Sequence, residues 1–122
     1  GTPAGSDDFE KTYDQILQQA VDANPKVKLV LCEPFILPNG HVLEHPDLWQ
    51  SEVKLRREAV ERLAAKYHAP AVHFQKVFDD AAKRAPIAYW IWDGIHPTYA
   101  SHQLMADEWL RVVGEFYGRE GK

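Results

Sequence analysis

Apolar positions near the start of the chain recur with the period of an α-helix: Phe9, Tyr13, Ile16, Leu17, Ala20 and Val21 stand at i, i+4, i+7, i+8, i+11 and i+12. They predict a helix that Pro25 ends. Asp7, with Glu10 three positions on, forms an acidic version of the capping box at its start, which leaves residues 1–6 as a loose lead-in. The pattern then changes. In "VKLVLCEPF" the residues Val27, Leu29, Val30, Leu31 and Cys32 are interrupted only by Lys28, which predicts a strand over 27–32 buried on both faces, as in a parallel sheet. Residues 34–46, with their prolines, Gly40, His41 and His45, read as a loop. Helical spacing returns with Trp49, Val53, Val60, Leu63, Ala64 and Tyr67, predicting a second helix over about 47–68. "APAVHF" predicts a short strand over 71–74 and "QKVFDDAAKRA" a third helix. Residues 99–117 predict a fourth, with Met105, Trp109, Val112 and Phe116 on one face and Gly118 as its stop.

Two apolar strands among four helices predict an α/β fold layered around a parallel sheet. Such a sheet is thin, and a strand as apolar as 27–32 needs a neighbour on each side, so the sheet reads as partial. A length of 122 residues with 45% hydrophobic content suits one core and therefore one domain. Acidic residues outnumber basic ones by 18 to 14, and the basic ones are scattered, so no nucleic-acid partner is expected. No apolar run approaches the ~20 residues needed to span a bilayer. Cys32 is the single cysteine, which excludes an internal disulfide and leaves localisation open.

The chemistry concentrates in "YWIWDGIHPTYASHQ". Asp93 and His96 lie three apart, so a carboxylate can take the imidazole Nδ1–H and leave Nε2 free to accept a proton. Such a pair is a base awaiting a hydroxyl. Its plain alternative is a structural hydrogen bond at the start of a helix. Ser6, Ser51 and Ser101 are the only serines, and none follows a strand and tight turn as an activated nucleophile would. His41 and His45 sit in a loop and read as exposed polar residues; a metal set of Asp93, His96 and His102 ranks well behind the acid–base reading. Cys32 reads as a core residue, and Tyr89, Trp90 and Trp92 as core or as a pocket wall. Glu33, at the end of a strand, carries no assigned chemistry.

"WDGIHPTYASHQLMADEW" resembles the last block of the SGNH (GDSL-type) ester hydrolases, a D-G-x-H-P segment just before the C-terminal helix. "FEKTYDQILQQA", "VKLVLCEPFILPNG" and "LAAKYHAPAVHFQKVFDDA" resemble, in order, the elements that precede that block in the lysophospholipase-like branch, so the resemblance covers essentially the whole chain. It implies a flavodoxin-like three-layer α/β/α sandwich, with residues 1–122 as the C-terminal part of one such domain and its N-terminal strands missing. It also implies Asp93 as triad acid, His96 as general base, a small ester as substrate, and no cofactor or metal. The family's nucleophilic Ser and its oxyanion Gly and Asn belong to blocks that do not appear here. The expected partner is accordingly the N-terminal fragment of the same protein, or a second copy joined through strand 27–32. The alternative from another class is a non-catalytic α/β domain or assembly subunit that keeps Asp93 and His96 as a structural hydrogen bond.

Overall fold

The computed structural model describes residues 3–118. In chain order they form α1 (Pro3–Ala23), β1 (Leu31–Cys32), a 3-10 turn (Gly40–Glu44), α2 (Pro46–Tyr67), β2 (Ala71–Val72), α3 (Phe74–Ala81), α4 (Ile87–Trp90) and α5 (Tyr99–Tyr117). β1 and β2 pair in parallel, Leu31 opposite Ala71 and Cys32 opposite Val72, with α2 as the crossover between them. Alternation along the strands sends side chains to opposite faces. Leu31 packs with Leu17, Val60 and Leu63 under α1 and α2, whereas Val72 packs with Phe78 and Ile91, joined by Leu104, Met105 and Val112 of α5. Helices thus cover both faces of an incomplete sheet, in three α/β/α layers.

Leu31, Val60, Val72, Phe78 and Ile91 are fully enclosed. Burial of each such side chain is worth roughly 1.5–3 kcal/mol, which makes these few positions the main anchors of a small core.

The strand expected over 27–32 is a ladder only at Leu31–Cys32. Leu31 and Glu33 donate their N–H groups to the carbonyls of Pro70 and Val72, both at 3.0 Å. Cys32, between them, aims its backbone groups the other way, where no strand lies among the described residues. Residues 27–30 stay outside the ladder, with the Val27 N–H on the Asn24 carbonyl (2.9 Å) and the Leu29 carbonyl accepting from the Tyr117 hydroxyl (2.7 Å). For the same reason Cys32, expected in the core, is exposed. Apolar neighbours still push its thiol pKa up, so the sulfur is not an activated thiolate.

α1, α2, α3 and α5 follow the apolar pattern, with informative differences at the edges, whereas α4, a single turn over Ile87–Trp90, stands where no element is predicted. α1 starts at Pro3, so Asp7 lies inside it rather than capping it; Gly1 and Thr2 of the expected lead-in lie outside the described residues. Glu10 turns outward to hold Arg62 of α2 through two hydrogen bonds of 2.6 and 3.1 Å, and Lys66 reaches Asp14 at 2.8 Å. Ile16, expected in the buried stripe, is 59% exposed. α2 ends at His68, which takes the left-handed conformation (φ 52°) and returns its N–H to the last carbonyls. The segment 71–74 yields only Ala71–Val72 as strand because Phe74 begins α3. In α5, Met105 and Val112 join the core, whereas Trp109 and Phe116 are 39% and 43% exposed.

Candidate active site

Residues 91–97 form a loop closed at its neck. Ile91 bridges Pro97 in antiparallel fashion, Trp92 N–H donates to the His96 carbonyl at 3.0 Å, and Thr98 N–H donates to the Trp90 carbonyl at 2.9 Å. Thr98 Oγ1 also donates to the Tyr89 carbonyl at 2.7 Å, and Ser101 Oγ to that of Trp90, fastening the start of α5 to the neck. Asp93 sits at the tip. Its Oδ1 accepts the N–H groups of Ile95 (3.0 Å) and His96 (2.8 Å), an Asx-type turn, and its Oδ2 lies 2.6 Å from His96 Nδ1.

These bonds hold the Asp93 carboxyl well below the usual carboxylate range; the His96 N–H contributes most, then the imidazole, then the Ile95 N–H. Asp93 is therefore an anion at neutral pH, and a carboxylate can only accept, so Nδ1 carries the hydrogen and Nε2 holds the lone pair. Nε2 has no hydrogen-bond partner among the described residues, and the imidazole is 70% exposed against 29% for the carboxylate. The arrangement is a fixed, solvent-facing base backed by an anion.

A second segment clasps this loop from β1's side of the sequence. Four consecutive carbonyls, those of Ile91, Trp92, Asp93 and Gly94, all receive donors from residues 37–41. Asn39 Nδ2 donates to Ile91 (3.0 Å) and Trp92 (3.1 Å), His41 N–H to Asp93 (3.1 Å) and Leu37 N–H to Gly94 (3.1 Å). Gly40 (φ +53°) and Gly94 (φ +94°) make the approach possible. A Cβ at Gly40 would stand 2.5 Å from Asp93 Cα, and one at Gly94 2.4 Å from the Asn39 carbonyl oxygen. Ile95 packs with Trp49 onto Ile36, Val42 and Val53, which keeps the tip down. In the sequence, residues 34–46 read only as a loop, and beyond the Asn39-Gly40 pair no local pattern signals this role.

The other sequence candidates scatter. Ser51 donates to the Leu48 carbonyl (3.1 Å) on α2, Ser101 is fully buried on Trp90, and Ser6 is buried in α1, so none of the three serines serves His96. His41 lies 3.9 Å from Glu44 on the surface, and His102 is exposed on α5. Among the described residues no group of three or more His, Cys, Asp or Glu side chains gathers as a metal site. The aromatic cluster splits: Trp90 is core, whereas Tyr89 and Trp92 are exposed, Trp92 lying edge-on to Tyr99 with ring centres 5.8 Å apart. Glu33 and His73 form a further carboxylate–imidazole contact at 3.1 Å. Glu33 Oε1 also accepts the Gln75 N–H at 3.0 Å, so this buried carboxylate satisfies the first turn of α3.

Fold and site together define an α/β/α chain that carries a preformed carboxylate–imidazole pair, Asp93 and His96, after β2. It belongs to the GDSL-like lipase/acylhydrolase family, whose model matches residues 1–104. An acetylxylan esterase from Geobacillus stearothermophilus is 25% identical over 109 residues, covering 88% of this chain and 47% of that protein. Among solved structures, a GDSL-like lipase family protein from Parabacteroides merdae superposes with a TM-score of 0.84 at 32% identity, over 89% of this chain and 50% of the other. An α/β hydrolase enzyme from the Lake Arreo metagenome gives 0.75 at 26% identity, over 89% and 47%. The Geobacillus esterase itself gives 0.70 at 25% identity, again over 89% and 47%. Catalytic mutants of that esterase replace a Ser, an Asp or a His, and the Asp and His are three positions apart. The chain thus spans about half the length of the relatives it matches.

Proposed function

We propose that residues 1–122 are the C-terminal part of a single flavodoxin-like, SGNH-type domain of the lysophospholipase-like branch, and that the domain hydrolyses a small carboxylic ester. Asp93 is the triad acid and His96 the general base. The observation that carries this reading is the 2.6 Å contact between Asp93 Oδ2 and His96 Nδ1, with Nε2 open to solvent. The family membership and the matching Asp–His spacing in the Geobacillus esterase support it.

In the proposed reaction a Ser hydroxyl from the upstream segment gives its proton to His96 Nε2 as its oxygen attacks the ester carbonyl carbon. Asp93 stabilises the imidazolium that forms. The proton passes from Nε2 to the departing alkoxide, leaving an acyl-enzyme; water then repeats the cycle, giving up a proton to His96 and releasing the acid and the Ser hydroxyl. Donors for the oxyanion come from the same upstream segment. That segment also adds a strand along the open edge of β1, or in its absence a second copy associates there.

The test is hydrolysis of an aryl acetate, then of an acetylated xylo-oligosaccharide, by this chain combined with the upstream half of the domain. Activity in the combination that vanishes with His96→Ala supports the reading. Full activity in that variant overturns it.

A further inference from the structure

We propose that Asn39 is a positioning residue for the acid–base pair, and that its side-chain amide sets the direction in which Asp93 presents Oδ2. The catalytic meaning of this assignment rests on Asp93 as triad acid; the geometry does not. Of the four donors that residues 37–41 aim at the carbonyls 91–94, two are backbone N–H groups and two belong to one side chain, that of Asn39. Both hydrogens of its –NH₂ are used, on the carbonyls of Ile91 (3.0 Å) and Trp92 (3.1 Å). The Trp92 carbonyl belongs to the peptide group whose nitrogen is that of Asp93, so the amide grips the plane from which the acid projects. The two partners lie 52 and 53 residues away in sequence, so local turn chemistry does not supply this restraint.

The two oxygens of Asp93 respond differently to its loss. Oδ1 is held by N–H groups of residues 95 and 96, within the same tight turn, and these bonds survive a tilt of the segment. Oδ2 meets the imidazole across a side-chain torsion on each partner, and the bond depends on where Asp93 is anchored. Asn39 therefore acts on the Asp93–His96 contact more than on the turn. Only an amide of this length supplies two donors here: Ser offers one, Asp none, and Gln adds a methylene where Gly40 already brings the backbones together.

Nuclear magnetic resonance on this chain tests the assignment, reading the pH titration of the Asp93 carboxyl carbon and the low-field proton on His96 Nδ1. In Asn39→Ala the Asp93 midpoint rises by about one pH unit or more toward the ordinary carboxylate range, and the Nδ1 proton signal broadens through exchange with water. Gln75→Ala is the control. Gln75 anchors the other end of the same loop through both backbone groups of Ile36 (2.9 and 2.8 Å), so its loss loosens the loop without touching residues 91–94. It lowers thermal stability and leaves both signals in place. Asn39→Ser, with one donor, gives an intermediate shift and stands in if the alanine variant does not fold. Unchanged Asp93 and Nδ1 signals in the folded Asn39 variants overturn the proposal, as does an equal change in Gln75→Ala. No activity is read, so failure of the ester-hydrolase reading leaves the result interpretable.

Discussion

Asp93 meets His96 twice: one carboxylate oxygen accepts the His96 backbone N–H at 2.8 Å and the other takes the imidazole Nδ1–H at 2.6 Å. A single residue thus fixes both the backbone and the ring of its neighbour, and the free nitrogen of that ring can point only outward.

Replacing Asp93 with Asn in the ester hydrolase proposed above keeps the fold but lowers kcat by up to ~10⁴-fold, because the amide's –NH₂ favours the wrong imidazole tautomer. His96→Ala costs at least as much. Steady-state kinetics on an acetyl ester reads both, and near-full activity of Asp93→Asn at neutral pH removes the triad assignment.

On its own, this chain turns over no ester above buffer. Its serines are committed elsewhere, Ser51 to Leu48 and Ser101 to Trp90, and a base without a nucleophile or oxyanion donors has nothing to activate. Hydrolysis of an aryl acetate that disappears in His96→Ala contradicts this.

Acid lowers stability through Asp93. Its folded pKa is depressed, so its contribution is complete above the unfolded carboxylate's pKa of about 3.9 and is lost as pH falls below that toward the folded value. Glu10 and Asp14, depressed by Arg62 and Lys66, act in the same direction. Melting temperatures measured between about pH 5 and pH 2 fall, and the fall is shallower in Asp93→Asn. An equal slope in that variant counts against the depressed carboxyl.

Gly94→Ala destabilises the chain by at least ~2 kcal/mol, since the added methyl has no room beside the Asn39 carbonyl and the backbone holds a left-handed φ. Gly40→Ala behaves alike for its contact with Asp93. Chemical denaturation measures both, and a change under ~0.5 kcal/mol means that the clasp yields.

If the proposed docking along β1 is right, its open edge associates in this chain on its own. Light scattering at low micromolar concentration finds a species larger than the monomer, and hydrogen exchange finds the Val30 and Cys32 amides slowed in it. Leu31 is no guide, because its N–H is already bonded to Pro70. A monodisperse monomer with fast exchange at Val30 and Cys32 shows that the edge stays solvated.

The longer helices were legible because each buries one stripe: the periods marked by Leu17 in α1 and by Val60 and Leu63 in α2 are set by local geometry. The single turn of α4 is too short to show a period. The strands were legible as apolar runs but not in extent, since a ladder's length is fixed by its partner, and only Ala71–Val72 faces β1. The contact between Asp93 and His96 could be expected because carboxylate and imidazole lie in one turn. The clasp could not: Asn39 and Trp92 meet across 53 residues, and nothing in their local patterns distinguishes that contact from an ordinary Asn-Gly bend. Cys32 misled for a related reason, since burial inferred from apolar character presumes a complete sheet.

The bridge between Ile91 and Pro97 has a consequence for how the ester hydrolase proposed above tolerates being divided. Asp93 and His96 sit in the same small ring of backbone, so a division upstream of the segment 37–41 that clasps this ring separates neither residue from the other. Complementation between two separately made pieces then requires only that surfaces dock. The regain of activity should follow the concentration of the pieces, as a bimolecular encounter does, rather than the slow unimolecular pace of rebuilding a site.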